Sequence, residues 1–143
     1  MYNNILFPVD GSIHSKRAIE HVKKMAKVFS SDVTVLCVFN RPYSLSNSFI
    51  NLPTEIYEAY KKNNEAEAKK LVDSFVSELA MINIDVTPLI LEGSPKKIIS
   101  EQAKKMDIDL IIMGTKGHAE ANYMGSTSTY VINHTTGIPV MVV

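Results

Sequence analysis

The chain has 143 residues, 45% of them apolar and 21% charged, with 15 Lys+Arg balanced by 15 Asp+Glu. That is the composition of one ordinary soluble domain, long enough to bury roughly 68–70% of the unfolded chain's surface around a single core. A formal charge of zero and a pI near 6.9 exclude the basic footprint that attracts DNA, RNA or anionic lipid, so neither nucleic acid nor membrane is expected as a partner.

Cys37 is the one cysteine; it closes no disulfide within the chain, founds no zinc site, and inside an apolar run behaves as a small hydrophobe in a reducing compartment. Met1-Tyr2-Asn3-Asn4 lacks the basic start of a secretory leader, and no apolar stretch reaches the roughly 20 residues of a spanning helix. A cytoplasmic protein is expected.

Ile5-Leu6-Phe7-Pro8-Val9, stopped by Asp10-Gly11-Ser12, predicts a buried first strand ending in a turn. From Ser15, the apolar residues Ala18, Ile19, Val22, Met25, Ala26 and Phe29 recur at helical spacing among lysines, which predicts a helix with one apolar stripe. Val33 to Phe39, rich in β-branched residues, predicts the second strand. Asn40 to Pro53 is polar and predicts a long loop. Thr54 to Met81 predicts a helix whose second half carries the stripe Ala68, Leu71, Val72, Phe75, Val76 and Leu79. Ile84 to Leu91 predicts a third strand, and Pro88 within it calls for a sheet edge, where one missing donor is tolerated. Gly93-Ser94-Pro95 predicts a helix start with Ser94 as N-cap and Ile98, Ile99, Ala103 and Met106 on the buried side. Asp109 to Met113 predicts the fourth strand, Gly125-Ser126 opens a last helix through about Thr135, and Pro139 to Val143 predicts the fifth strand.

Five strands alternating with four helices imply a single-domain α/β fold: an open parallel sheet with helices on both faces. The order 3-2-1-4-5 makes Pro88 sensible by placing strands 3 and 5 at the edges. Strands 1 and 4 are then central neighbours whose following helices leave to opposite faces, and a ligand crevice is expected at their C-terminal ends.

Two loops meet there, Asp10-Gly11-Ser12 and Gly114-Thr115-Lys116-Gly117-His118, the second leading to Gly125-Ser126-Thr127 at a helix start. Glycines admit an anion close to backbone N–H groups, and a helix N-terminus adds unpaired donors and a favourable dipole, the ingredients of a phosphate cradle. The plainer alternative is an ordinary strand-to-helix connection. Lys116 has phosphate or solvent open to it. Asp10 suits a ribose hydroxyl or an exocyclic amine, or serves only to cap its turn. Ser126 is expected to cap the last helix, a role that phosphate contact shares. Gly114→Val is expected to abolish binding while leaving the fold intact.

Walker and dinucleotide patterns are absent. His14, His21, His118 and His134 show no helix-face ligand pair, so no metal is expected on protein side chains. Ser126, His118 and Asp10 supply the residue types of a hydrolase triad, but the nucleophile elbow G-x-S-x-G is missing.

Taken together, Ile5 to Ser12, Asp109 to His118, and Gly125-Ser126 with Ile138 to Val143 resemble the universal stress protein family over essentially the whole chain. The resemblance implies a Rossmann-like, adenine-nucleotide-binding fold. It implies that Pro8, Val9 and Asp10, with the Val38 backbone, face adenosine, and that Met113, Gly114, Gly117, Gly125, Ser126 and Thr127 surround ribose and phosphates; Lys116 and His118 stand in the same loop. Members that bind ATP carry G-x2-G-x9-G-[ST]. Here seven residues, His118 to Met124, separate Gly117 from Gly125. Two fewer residues remove up to roughly 7 Å of reach, which leaves ATP, ADP and AMP as ligands, with Mg²⁺ bridging the phosphates. The implied role is regulation in a stress response, read by an unknown protein partner. Two alternatives are an interaction protein that has lost its nucleotide, and an enzyme that hydrolyses or activates with ATP; turnover is expected to be slow, since no base is evident to activate water. The apolar edge strand Pro139, Val140, Met141, Val142 and Val143 needs cover, and a homodimer through it is expected both from edge exposure and from the resemblance.

Overall fold

The structure, a computed structural model, describes residues 1–40, 53–118 and 123–143. The expected loop between Asn40 and Pro53 lies outside the described residues apart from those two ends. Along the chain run β1 (Asn4–Pro8), α1 (Ile13–Phe29), β2 (Asp32–Phe39), α2 (Thr54–Ala80), β3 (Val86–Glu92), α3 (Pro95–Lys105), β4 (Leu110–Met113), α4 (Ser126–His134) and β5 (Val140–Val142). All pairings are parallel and the sheet order is β3-β2-β1-β4-β5, as expected.

Because central strands are buried on both sides, successive residues of β1 feed two cores. Ile5 and Phe7 join Ala18, Ile19, Val22 and Ala26 of α1 and Ala68, Val72, Phe75 and Leu79 of α2. Phe7 meets Phe75 edge-on, with ring centres 5.4 Å apart. Leu6 joins Ile99 and Ala103 of α3, Ile111 and Met113 of β4, and Val131 of α4. The helices that follow β1 and β4 therefore lie on opposite faces, which opens the crevice between their starts. Lys23 pairs with Glu20 on its own helix (2.7 Å) and ties α1 to α2 through Glu78 (2.5 Å), and these carboxylates raise its pKa.

Pro88 sits on the exposed edge strand, in register with Val35. Several boundaries shift for local reasons. β3 begins two residues after the expected Ile84, since Asn83 turns with φ 57° and the strand is joined to β2 from the Asp85 carbonyl, which accepts from Val33 N–H at 2.9 Å. Asp109 falls outside β4: its carboxylate accepts the N–H groups of Asn3 and Asn4, both at 2.9 Å, clamping the entry to β1. Pro139 and Val143 flank β5 and stay bonded to β4, with Ile111 N–H to the Pro139 carbonyl and Val143 N–H to the Met113 carbonyl, each 3.0 Å. Ser94 holds the N-cap position of α3, but its side chain makes no capping bond; Pro95 in the first turn has no N–H to satisfy. Among the described residues no helix is long and apolar enough to cross a membrane.

Candidate functional site

A cleft of about 590 Å³ opens at the C-terminal ends of the central strands. Pro8, Val9 and Asp10 enter its wall from β1 and the turn after it, and Val38 from β2. Met113, Gly114, Lys116, Gly117 and His118 enter from β4 and its loop, and Gly125, Ser126 and Thr127 from the start of α4. Every residue singled out for a nucleotide thus borders one space. Ser15, Leu36, Cys37, Phe39, Asn40, Pro95, Ile99, Thr115, Tyr123 and Ser128 line it too, and sequence reasoning missed them. Pro95 and Ile99 come from the helix after β3, which packs over the face that β2 shares with β4, a placement that follows only once the strand order is known.

On the β1 side the chain turns at Gly11, whose φ of +78° falls in the left-handed region that glycine adopts freely. The Asp10 carboxylate closes that turn: Oδ1 accepts from Ser12 N–H at 2.9 Å and from Ser15 Oγ–H at 3.1 Å. Ser12 is the N-cap of α1, its Oγ accepting from Ser15 N–H at 3.3 Å. The turn-capping alternative for Asp10 is therefore realised, while Oδ2 remains turned towards Gly117, 3.1 Å from where a β-carbon there would stand.

On the β4 side the loop ends are pinned. Thr115 N–H donates to the Val143 carbonyl at 2.7 Å, and the Thr115 carbonyl accepts from Gly125 N–H (2.8 Å) and Ser128 Oγ–H (2.7 Å). This changes two expectations. Gly125, not Ser126, is the N-cap, because the pinned loop brings Gly125 so close to Lys116 and Thr115 that a β-carbon there would stand 3.2 Å from Lys116 Cα. Ser126 is the first helical residue, and its hydroxyl has no partner among the described residues. Gly114 is demanded by packing: a β-carbon there would stand 2.7 Å from His14 Cβ and 3.0 Å from Ser15 N. A valine at Gly114 would therefore meet α1, and Gly114→Val is expected to cost stability as well as binding.

The helix start itself stays open. The first intrahelical bond of α4 is Thr129 N–H to the Gly125 carbonyl at 3.1 Å, so among the described residues the amides of Ser126, Thr127 and Ser128 have no partner, and no side chain caps them. Three N–H groups and a positive dipole end facing a cleft are the groups to which an anion can bind.

The imidazole of His118 bridges the two loops, its Nε2 2.6 Å from the Asp10 carbonyl oxygen. It engages the backbone, not the carboxylate, so Ser126, His118 and Asp10 are not linked as a triad. Among the described residues no group of His, Cys, Asp or Glu stands ready to hold a metal. Cys37 lies buried in the wall; burial pushes its thiol up to about 11, and the charge of Asp10 pushes the same way.

Strand order and crevice define a doubly wound α/β protein with its cleft where the connections diverge. The whole chain, residues 1–143, matches the universal stress protein family, and it belongs to that family. Universal stress protein MJ0531 of Methanocaldococcus jannaschii is 33% identical over 150 residues, which cover 100% of this chain and 82% of that protein. The solved structure of MJ0577 from the same organism superposes with a TM-score of 0.88 at 29% identity, covering 100% of this chain and 96% of that one. Two more distant structures share the fold: a universal stress protein in complex with cAMP (TM-score 0.73, 16% identity, 99% and 96% covered) and an Arabidopsis thaliana family member with AMP bound (0.68, 21%, 99% and 90%).

Proposed function

We propose that this protein binds an adenine nucleotide in the cleft and acts as a nucleotide-responsive regulator. The observation that carries the reading is the start of α4: three amides with no partner among the described residues, at the positive end of a helix, face a cavity of about 590 Å³, large enough for a nucleotide. Phosphate sits at Ser126, Thr127 and Ser128, with Lys116 in the adjoining loop. Ribose and base lie towards Asp10, Pro8, Val9 and the Val38 backbone, where Oδ2 of Asp10 accepts from a hydroxyl. Structures of the same fold hold cAMP and AMP, which supports adenine as the base.

ATP, ADP and AMP all suit the donors, and Mg²⁺ would enter on phosphate oxygens. Among the described residues the cleft wall offers one carboxylate, that of Asp10, already engaged through Oδ1. A homodimer through the half-buried edge strand β5 covers Val140, Met141 and Val142 and satisfies their outward backbone groups.

Calorimetric titration with ATP, ADP and AMP, with and without Mg²⁺, tests the ligand. Saturable heat with at least one of them is expected; none up to millimolar ligand overturns the reading in favour of an interaction protein without nucleotide. Sedimentation velocity on wild type and Met141→Lys tests the dimer, which the charge on the edge strand should dissociate.

A further inference from the structure

Lys96 is the second residue of α3, directly after Pro95 in the cleft wall. It is half-buried, and its ammonium stands over the ring of Tyr130 on α4, 5.3 Å from the ring centre. His134 stacks on the same ring, with centroids 3.6 Å and planes 8° apart, anchored by Nδ1 at 2.8 Å from the Tyr130 carbonyl oxygen. A stack that close leaves no room for an ammonium, so Lys96 takes the opposite ring face.

The helix geometry says where that face looks. Side chains on an α-helix lean towards its N-terminus. His134 therefore reaches back onto Tyr130 from the C-terminal side, and the face left to Lys96 turns towards Ser126, one turn earlier. That direction leads to the first turn of α4, whose residues Ser126, Thr127 and Ser128 line the cleft; of the start of α3, Pro95 lines it and Lys96 stands just behind, on Tyr130.

Its surroundings are unusual for a cation. Among the described residues no carboxylate pairs with Lys96. Neither α3 nor α4 has an acidic residue in its first turn, so the charge sits in the positive first turn of its own helix with a ring face as its compensation among the described residues. An anion arriving in the cleft removes that penalty. Resting on the nucleotide reading above, we infer that Lys96 is a phosphate-binding residue of this site: Tyr130 holds its ammonium ready, and it turns to the phosphate end of the bound nucleotide.

The test is calorimetry of wild type, Lys96→Met and Lys96→Arg with adenosine, AMP, ATP and, as a probe without a base, tripolyphosphate. Met keeps the stem and removes the charge. Lys96→Met should bind AMP and ATP about tenfold more weakly and adenosine unchanged, with Lys96→Arg restoring most of the loss. Equal weakening of adenosine, or no change with any ligand, overturns the role of Lys96 while leaving nucleotide binding standing. If wild type binds tripolyphosphate through Lys96 but no adenine compound, the nucleotide reading fails and the phosphate role survives; if it binds none of the four, both fall.

Discussion

The two strand-to-helix junctions at the cleft use the same kinds of residue in opposite ways. After β1, Asp10, Ser12 and Ser15 bond to one another, so the polar groups of that turn, Asp10 Oδ2 apart, are committed to the fold. After β4, the loop ends are tied as firmly, yet the first three amides of α4 stay open among the described residues. Glycine and serine in a loop therefore do not by themselves make a ligand site; what matters is whether their donors are already answered within the chain. Substitutions in the first junction should move stability, and substitutions in the second should move binding.

The largest expected effect breaks this division at a place where the junctions are packed together. Gly114 belongs to the second loop but lies against His14 and Ser15 of the first. Valine there should destabilise the protein by about 3 kcal/mol or more through overpacking, read as a lower urea midpoint at an unchanged slope. Normal stability with lost nucleotide binding would return Gly114 to the ligand.

Next in size is the pH response of Cys37, buried beneath the first junction. Its thiol pKa is raised to about 11 from 9.0, by burial first and then by Asp10. Folding therefore favours the protonated thiol: its contribution is complete below about pH 9 and is lost as pH rises towards 11, because the unfolded chain releases the proton first. The span is roughly 2–3 kcal/mol. Urea unfolding at intervals from pH 8 to 10.5 should show a steeper loss of stability in wild type than in Cys37→Ala; parallel curves would refute the shift. Smaller again is Ser12→Ala, which removes the cap of α1 and should cost about 1 kcal/mol with nucleotide affinity unchanged, measured by thermal unfolding and calorimetry.

Much of this was legible in the chain. The strand order rested on Pro88, which calls for a sheet edge, and the parallel sheet on the alternation of strands and helices. The cleft wall followed from the order, since parallel strands deliver their C-terminal loops to one edge. What stayed hidden depends on contacts between distant residues. Ser126 is the expected cap of the last helix, and Gly125 takes that place through its approach to Lys116 and through Ser128 bonding Thr115. The bareness of Gly114 looked like room for phosphate because nothing local reveals α1 pressing on it. Nothing local marks Lys96, because its ring partner Tyr130 stands on a helix far along the chain. The role of Asp109 as a clamp on β1 likewise needs two strands that are far apart in the chain.

The smallest change in stability gives the sharpest contrast. Ser126→Asp puts a carboxylate at the first position of α4, beside amides with no partner among the described residues and at the positive end of the helix dipole, which should raise stability by about 0.5 kcal/mol. The same charge occupies the seat assigned to phosphate, so affinity for ATP should fall tenfold or more while adenosine is held as before. At Ser12 the matching change, Ser12→Asp, exchanges one capping group for another at a helix start that is already served, and should leave both quantities near their wild-type values. Opposite signs at Ser126 and none at Ser12, in thermal unfolding and calorimetry on the same preparations, mean that α4 forgoes a cap to keep its amides for a ligand. Unchanged ATP binding by Ser126→Asp would move the phosphate elsewhere and leave the open helix start a mere irregularity of the loop.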